Sequence, residues 1–333
     1  MGTLADRRAQ AKDRLQVLRE NVKVVESLAA GKACVYATGS FGRCEASKFS
    51  DLDVFILGKG DGREGRDGKE GSLLKGLDEI CIKAELIKIT RKLNIPEFSG
   101  DGQYLDHYSV HDLTKSLGTP EDDAINTFTA RLLLLLESHP PLEDQVYGEV
   151  ISQVVTAYWR DYYDHKDEFI PAFLANDILR LWRTFCVNYE ARTQRVPEAE
   201  KAKGKLKNYK LKHSRMLTCY SALLYLLAIY ARHNTVSPRD AEFMINMTPT
   251  ERLEWLSAQS YVSDASSTIA AILSKYEHFL ETTNAKEDEP VSRFSDRAES
   301  RKYMIEAYKF GDLVFDALKT IGNENRFYRL LVV

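Results

Sequence analysis

The sequence predicts an α/β (α+β) domain with a small mixed sheet, followed by an all-helical C-terminal domain. Two short apolar runs rich in strand formers, ACVYATG at 33–39 and LDVFIL at 52–57, lie close together near the N-terminus. From residue 119 onward, long amphipathic segments follow one another with almost no strand pattern. The chain has 333 residues, whereas single cores commonly stop growing near about 250 residues, so we expect two domains.

The elements around the two strands follow from local patterns. Apolar side chains recur at helical spacing in residues 5–29, which predicts an amphipathic helix that ends near Gly31. Residues 58–71 contain six glycines among charged residues and no apolar side chain, which predicts a mobile surface loop. A second helix is predicted over 73–93, and residues 98–110 return to a turn followed by a strand. The expected apolar face of the second helix consists of Leu74, Leu77, Ile80, Ala84 and Ile87.

The second half of the chain is predicted to be helical. Helices are expected near 121–138, 143–163, 170–193, 213–232, 248–258, 262–282 and 302–321, and a polar loop over 281–300. Within the first of them, Leu132 to Leu136 are expected to be buried. The predicted division is an N-terminal helix at 1–30 that packs on the core, the α/β domain at 31–118, the helical domain at 119–283, and a polar linker with a C-terminal helix at 284–333.

Composition narrows the class of protein. The 46 Lys and Arg residues nearly balance the 49 Asp and Glu residues, so the net charge of -3 provides no global attraction to nucleic acid or membranes. The five cysteines are widely spaced with no Cys-x-x-Cys pair, which argues against a disulfide framework or a zinc site. The first residues lack the apolar core of a signal peptide, and the longest apolar runs are too short to span a bilayer. We expect a soluble cytoplasmic protein without a membrane partner.

The stretch YATGSFGRCEASKFSDLDVFIL, residues 36–57, carries the chemistry. Side chains alternate along a strand, so Asp51 and Asp53 are expected to project to the same side while Leu52 faces a core. Two carboxylates that close repel each other unless a divalent cation lies between them, and hard oxygen ligands favour Mg²⁺. Gly39 allows close approach of the backbone to an anion, and Ser40 adds a hydroxyl and a helix start that can hold phosphate oxygens. Metal and phosphate ligands together indicate a nucleotide site.

The segment TGSFGRCEASKFSDLDVFIL resembles the signature of the DNA polymerase β-like nucleotidyltransferase superfamily in its Gly-Ser, Gly-Arg, Ser-Asp-x-Asp and trailing apolar run. The Gly-Arg pair, Glu45 and the long helical second half are most similar to the group of the PII uridylyltransferases and their bacterial relatives. The resemblance implies that residues 31–118 are a nucleotidyltransferase domain. It also implies Mg²⁺-dependent transfer of a nucleoside monophosphate from a triphosphate such as ATP, with two Mg²⁺ ions and release of pyrophosphate.

The resemblance also implies a role for each residue of the motif. Gly39 and Ser40 would hold the β- and γ-phosphates of the triphosphate. Asp51 and Asp53 would bind the metal ions, and Arg43 would help to neutralise the phosphates.

A third carboxylate on a later strand usually completes the site in this superfamily. Asp106 in YLDHYSV is the candidate, with Asp101 in SGDG as its competitor. If neither is placed correctly, nucleotide binding could survive while transfer is lost. The alternatives are therefore an inactive nucleotide-binding partner, such as an antitoxin, or a synthase that makes a cyclic or linear signalling oligonucleotide. The preferred acceptor is a hydroxyl of a protein or of an RNA 3′ end, and no motif specific for DNA is present.

A basic cluster at 192–215 contains nine Lys and Arg residues against two Glu. Up to Lys205, a solvated flexible loop and a functional segment are equally favoured. Beyond it, the cluster runs into a strongly apolar helix. The resemblance to relatives that use lysine and serine from their helical domain makes Lys212 and Ser214 the candidates for contacts with the triphosphate. The same cluster could equally follow an RNA backbone.

Two other charged groups have structural interpretations. Asp177 and Arg180 lie three residues apart on a predicted helix, which favours an intrahelical ion pair over a role in a cleft between the domains. The segment EDDAIN at 121–126 is typical of a helix start whose acids oppose the helix dipole, and does not indicate a metal site.

Overall fold

The computed structural model describes residues 3–64, 70–98, 105–194, 197 and 200–332. The chain forms two compact units, Met1–Tyr158 and Trp159–Val333. The first unit extends well past the domain boundary that we predicted at residue 118. The reason is that His139–Leu142 forms a strand that pairs with the strand Ala33–Thr38, so the chain returns to the sheet after residue 118.

The sheet of the first unit is small and mixed, as predicted. The strands are β1 (Ala33–Thr38), β2 (Asp53–Gly58), β3 (Gly60–Glu64), β4 (Glu70–Ser72), β5 (His107–Ser109) and β6 (His139–Leu142). Four of them form one sheet in the order β5-β2-β1-β6. Strand β1 is antiparallel to β2 and β6, and β2 is parallel to β5.

The prediction of a loop over 58–71 is wrong where β3 and β4 pair in a two-stranded antiparallel ribbon. Residues 65–69 lie outside the described part of the chain. Main-chain hydrogen bonds hold such a ribbon together, and they do not depend on apolar side chains. Its glycine-rich, charged sequence therefore lacks the apolar alternation by which a strand is predicted.

The helices of the first unit are α1 (Thr3–Val22), α2 (Glu26–Ala29), α3 (Gly39–Gly42), α4 (Gly76–Lys92), α5 (Val110–Lys115), α6 (Glu121–Ala124), α7 (Thr127–Leu136) and α8 (Asp144–Tyr158). The helix predicted over 5–29 is present as α1, one 3₁₀ turn at Lys23–Val25, and α2. Buried apolar side chains of α1 and α4 pack against one face of the sheet.

Helix α4 confirms the helix predicted over 73–93, but its buried face differs from the predicted one. Of the predicted face, Leu74 is buried in the core and Ile87 packs against it, but Leu77 and Ile80 are 78% and 62% exposed. The residues of α4 itself that are buried in the core are Ile82, Leu86 and Ile89. The helix carries two apolar stripes, and packing against the sheet determines which one is covered.

The opposite face of the sheet is lined by aromatic side chains. Tyr36 of β1 stacks on Phe55 of β2 with ring centroids 5.3 Å apart, and Tyr108 of β5 is the next ring along. The hydroxyl of Tyr36 donates a hydrogen bond to the carbonyl oxygen of Ala130 in α7 at 3.1 Å. Strand β1 is therefore buried on both faces, which explains its uninterrupted apolar sequence.

A fully buried ion pair joins α6 to α7. The guanidinium of Arg131 donates to both carboxylate oxygens of Asp122, at 2.8 and 2.5 Å. Burial opposes ionisation of Asp122, but the hydrogen bond and charge of Arg131 prevail and lower the pKa of the carboxyl group. The helix start predicted at 121–126 is confirmed, and so is the burial of Leu132 to Leu136. The buried Asp122, however, has a specific partner that the sequence pattern did not reveal.

The second unit is helical in its described residues. Its helices are α9 (Ala172–Thr193), α10 (Lys201–Lys210), α11 (Met216–His233), α12 (Pro238–Ile245), α13 (Pro249–Ser257), α14 (Ser266–Thr282), α15 (Asp288–Ser295), α16 (Arg297–Gly322) and α17 (Arg326–Val332). A π-helical segment, Leu211–Arg215, connects α10 to α11. On α9, Asp177 and Arg180 approach to 3.8 Å, which confirms the predicted intrahelical pair.

Four described helices of the second unit, α10, α12, α15 and α17, have no counterpart among the predicted helices. Residues 201–205 belong to α10, so the loop alternative for this segment is wrong, and the loop predicted over 281–300 contains α15 and the start of α16. The stretch Lys201–His233 is long and apolar enough to cross a membrane, but 78% of its most apolar window is buried inside the protein. Such burial is typical of a core helix.

Candidate functional site

The Gly-Ser bend and Asp53 lie side by side at one end of the central strand pair. Thr38, the last residue of β1, is paired with Asp53, the first residue of β2, and Gly39 follows directly. Gly39 has φ +63°, and a Cβ built on it would lie 3.0 Å from Oδ2 of Asp53. Any other residue here would adopt an unfavourable left-handed backbone conformation and crowd the carboxylate. The structure thus brings together two of the predicted site residues, and glycine permits their close approach.

Asp51 and Asp53 flank a buried residue, as the alternation predicted. Leu52 and Val54 are both buried in the core cluster with α1 and α4. Strand β2 begins only at Asp53, which is half-buried, whereas Asp51 precedes the strand and is exposed. Asp53 is therefore held by the sheet, while the position of Asp51 depends on the loop that leads into it.

Asp106 directly precedes the neighbouring strand β5, and its side chain is exposed. Its carbonyl oxygen accepts a hydrogen bond from the N–H of Ile56 at 3.2 Å, and Ile56 is in register with His107. In this register Asp106 is level with Phe55, which places it on the same face of the sheet as Asp53, about 7 Å further along the strand direction.

Asp106 also has a neighbour on its own strand. The hydroxyl of Tyr108 donates to Oδ2 of Asp106 at 3.4 Å, and burial, followed by the charge of Asp106, raises the pKa of Tyr108 to about 12. Among the residues that the structure describes, no three His, Cys, Asp or Glu side chains are close enough to hold a metal ion together. The third carboxylate therefore stays a prediction, and its other candidate, Asp101, lies outside the described residues.

Arg43, which was predicted to help to neutralise the phosphates, has partners inside the protein. Its side chain is buried, and Nε donates to Glu45 at 2.9 Å while Nη1 donates to Glu137 at 2.8 Å. Both carboxylates belong to the protein itself. The contact of Arg43 with phosphate stays a prediction.

Glu137 is a residue of this site that the sequence did not reveal. It caps the C-terminal end of α7, it is buried, and its Oε1 accepts a hydrogen bond from the N–H of Gly39 at 3.2 Å. The only signal in the sequence is an acid at the end of a run of buried leucines, which is also what an exposed helix end would show. Ser40, the next residue of the bend, is half-buried.

The two candidates of the second unit lie in the π-helical segment Leu211–Arg215. The hydroxyl of Ser214 donates to the carbonyl oxygen of Lys210 at 2.8 Å, and the ammonium group of Lys212 lies 4.7 Å above the ring of Tyr308. Because α10 continues into α11 through this segment, neither residue lies at a free helix start. Their contact with a triphosphate stays a prediction.

Comparison with known proteins bears on the first unit. Residues 18–105 match the family model described as nucleotidyltransferase domain. No curated protein matches the chain. The matched segment contains the bend with Gly39 and Ser40 as well as Asp51 and Asp53, and it ends one residue before Asp106. Residues 18–105 are therefore similar to a nucleotidyltransferase domain.

Proposed function

We propose that the protein is a Mg²⁺-dependent nucleotidyltransferase. It moves a nucleoside monophosphate from a triphosphate to a hydroxyl group of a macromolecule, either a protein or an RNA 3′ end, and releases pyrophosphate. The observation that carries this proposal is the approach of Gly39 to Asp53 inside the matched domain. Because Gly39 lacks a side chain, a triphosphate can approach the backbone next to the carboxylate of Asp53, where a metal ion would join the two.

The donor atoms fit Mg²⁺. This ion is usually bound by one or two carboxylates together with substrate phosphates and water, so Asp51 and Asp53 suffice as protein ligands for a first ion. The proposal assigns Asp106 to the metal that serves the attacking hydroxyl, because Asp106 belongs to the same face of the sheet as Asp53. Bound Mg²⁺ would neutralise charge on the triphosphate and favour ionisation of the acceptor hydroxyl.

The protein itself orients the triphosphate. The N–H of Gly39 donates to Glu137, so we assign the hydrogen bonds to the β- and γ-phosphates chiefly to Ser40. Gly39 contributes by lacking a side chain, which lets the phosphates approach the backbone. Lys212 and Ser214 of the second unit are proposed as further contacts with the triphosphate. The subgroup that we propose is that of the PII uridylyltransferases and their relatives, acting in the cytoplasm.

Labelled nucleotides test this function. We would incubate the protein with each α-³²P nucleoside triphosphate and Mg²⁺, with and without cell lysate, and separate protein, RNA and small molecules. The variant Asp51→Ala with Asp53→Ala should lose all label, while Asp13→Ala, an exposed acid on α1, should behave as wild type. Label that persists in the double variant would refute the mechanism. Label found only in a free oligonucleotide would identify a synthase of signalling nucleotides.

One observation favours a second candidate, an inactive nucleotide-binding partner such as an antitoxin. The described residues include no cluster of three metal-binding side chains. A protein of this kind would bind a triphosphate without transferring any label. The difference between binding and transfer in the same preparation separates the two functions.

A further inference from the structure

Glu137 contacts the bend from a distant part of the chain. Its Oε1 accepts from the N–H of Gly39 at 3.2 Å, and its Oε2 accepts from Nη1 of Arg43 at 2.8 Å. The bend consists of the turn Gly39–Gly42 and the residue that follows it, Arg43, so Gly39 and Arg43 are its two ends. One buried carboxylate thus holds the bend at both ends, although 98 residues separate Glu137 from Gly39.

The main chain of Glu137 is packed equally closely against the middle of the bend. A Cβ built on Gly42 would collide with the backbone carbonyl oxygen of Glu137 and come within 2.8 Å of that of Ala37. Position 42 therefore accepts only glycine, because β1 and the end of α7 leave no room for a side chain. The backbone of Ala37 and both the backbone and the carboxylate of Glu137 therefore pack against the bend.

The backbone next to the bend is strained at one residue. Gly39 has φ +63°, which glycine adopts without strain, whereas Cys44, just after the bend, has φ +54°, which is unfavourable for a residue with a side chain. The conformation of Cys44 persists where surrounding contacts over-determine it. A hydrogen bond to a buried charged acceptor is among the stronger contacts available, and Glu137 supplies one to each end of the bend.

We propose that Glu137 is a positioning residue that holds the Gly-Ser bend in the shape that binds the triphosphate. This inference rests on the proposed function, and it adds a residue that lies outside the matched segment 18–105. Glu137 acts through Gly39 and Arg43 and touches no substrate. Because small displacements of positioning groups weaken binding and transfer strongly, a loosened bend should bind nucleotide poorly even in a folded protein.

The variant Glu137→Gln retains the length of the side chain and an acceptor for Gly39, but removes the charge that faces Arg43. Glu137→Asp retains the charge on a shorter side chain and serves if the first variant does not fold. The matched control is Asp122→Asn, which neutralises a buried carboxylate of the same unit that also pairs with an arginine. Asp122 is bonded to Arg131, Thr127 and Ser116, and to no residue of the bend.

Calorimetry measures the dissociation constant of the protein for each of the four α,β-methylene nucleoside triphosphates in the presence of Mg²⁺. Circular dichroism first shows that each variant is folded. We expect Glu137→Gln to weaken binding at least tenfold and Asp122→Asn less than twofold. Ser40→Ala is then combined with Glu137→Gln. If Glu137 acts through the bend, its effect should be smaller in the Ser40→Ala background, because the two losses share one cause.

Two results overturn the inference alone. They are binding by a folded Glu137 variant within twofold of wild type, and strictly additive effects of Glu137→Gln and Ser40→Ala. A wild-type protein that binds none of the four triphosphates overturns the proposed function and this inference with it. The two failures are distinguishable because the first requires that the wild type binds.

Discussion

Two properties of Gly39 are specific to glycine: its positive φ and its close approach to Asp53. Replacement with alanine tests both. Alanine in the left-handed region costs about 1–2 kcal/mol relative to a right-handed conformation. Gly31 provides the matched control, because its φ is +68° and a Cβ there would meet nothing within 4 Å. Gly31→Ala therefore reports the backbone cost alone. Gly39→Ala adds a Cβ that lies 3.0 Å from Oδ2 of Asp53, so that carboxylate has to move by a few tenths of an ångström.

The two variants should differ in function more than in stability. About 1 kcal/mol shifts the melting temperature of a domain of this size by roughly 2–4 °C, so we expect both to melt about 2–8 °C below wild type. Thermal unfolding by circular dichroism measures this. Transfer of α-³²P label in Mg²⁺ should fall at least tenfold in Gly39→Ala and less than twofold in Gly31→Ala, since only the first displaces Asp53.

If Gly39→Ala transfers label as well as Gly31→Ala while both are equally folded, the close approach of the bend to Asp53 has no part in the chemistry. A larger loss of stability in Gly31→Ala than in Gly39→Ala would contradict the assignment of strain to the contact with Asp53.

Three further predictions concern stability. Asp122→Asn should destabilise the first unit by about 3–5 kcal/mol in urea, because it removes the charge that compensates the buried Arg131. With its pKa lowered in the fold, Asp122 stabilises the wild type above its unfolded pKa of about 4, and this contribution should be lost as pH falls through the folded pKa. Burial lowers the pKa of His213 to about 4, against about 6.5 in the unfolded chain. The free energy of unfolding of the second unit should therefore fall by about 3 kcal/mol as pH falls from 6.5 to 4, and His213→Phe should make it less dependent on pH. Leu86→Ala should cost about 2–5 kcal/mol and Leu77→Ala less than about 0.5 kcal/mol in the same urea measurement.

Each of these has a clear contrary outcome. Equal stability of Asp122→Asn and wild type at pH 7 would show that the buried pair contributes nothing. If the unfolding free energy of His213→Phe depends on pH as in the wild type, the acid sensitivity belongs to other groups. Substitution of the exposed His233 is the matched control. A greater loss in Leu77→Ala than in Leu86→Ala would mean that the predicted face of α4, and not the observed one, packs on the core.

Much of the site could be predicted from local patterns. The alternation that buries Leu52 and Val54, and the stop of β1 at Gly39, depend only on neighbouring residues and on the two-residue period of a strand. For the same reason the helices of the second half were mostly found, since a periodic apolar stripe is visible in any single segment. Where the stripe was ambiguous, as on α4, the sequence predicted the helix but not its buried face.

The sequence by itself determined that a glycine-serine bend follows one strand and that an aspartate begins the next, because that information lies within 22 consecutive residues. Only the tertiary structure decided what the charged groups around the bend do. The end of α7 places Glu137 beside Arg43, and α7 also places Arg131 against Asp122, which the sequence indicated only as an acid of a helix start. A charged residue in the sequence does not indicate its partner, because long-range packing determines which residues meet. The free-energy cost of burying a charge is offset only by such a partner, which is in place only when the whole unit has assembled.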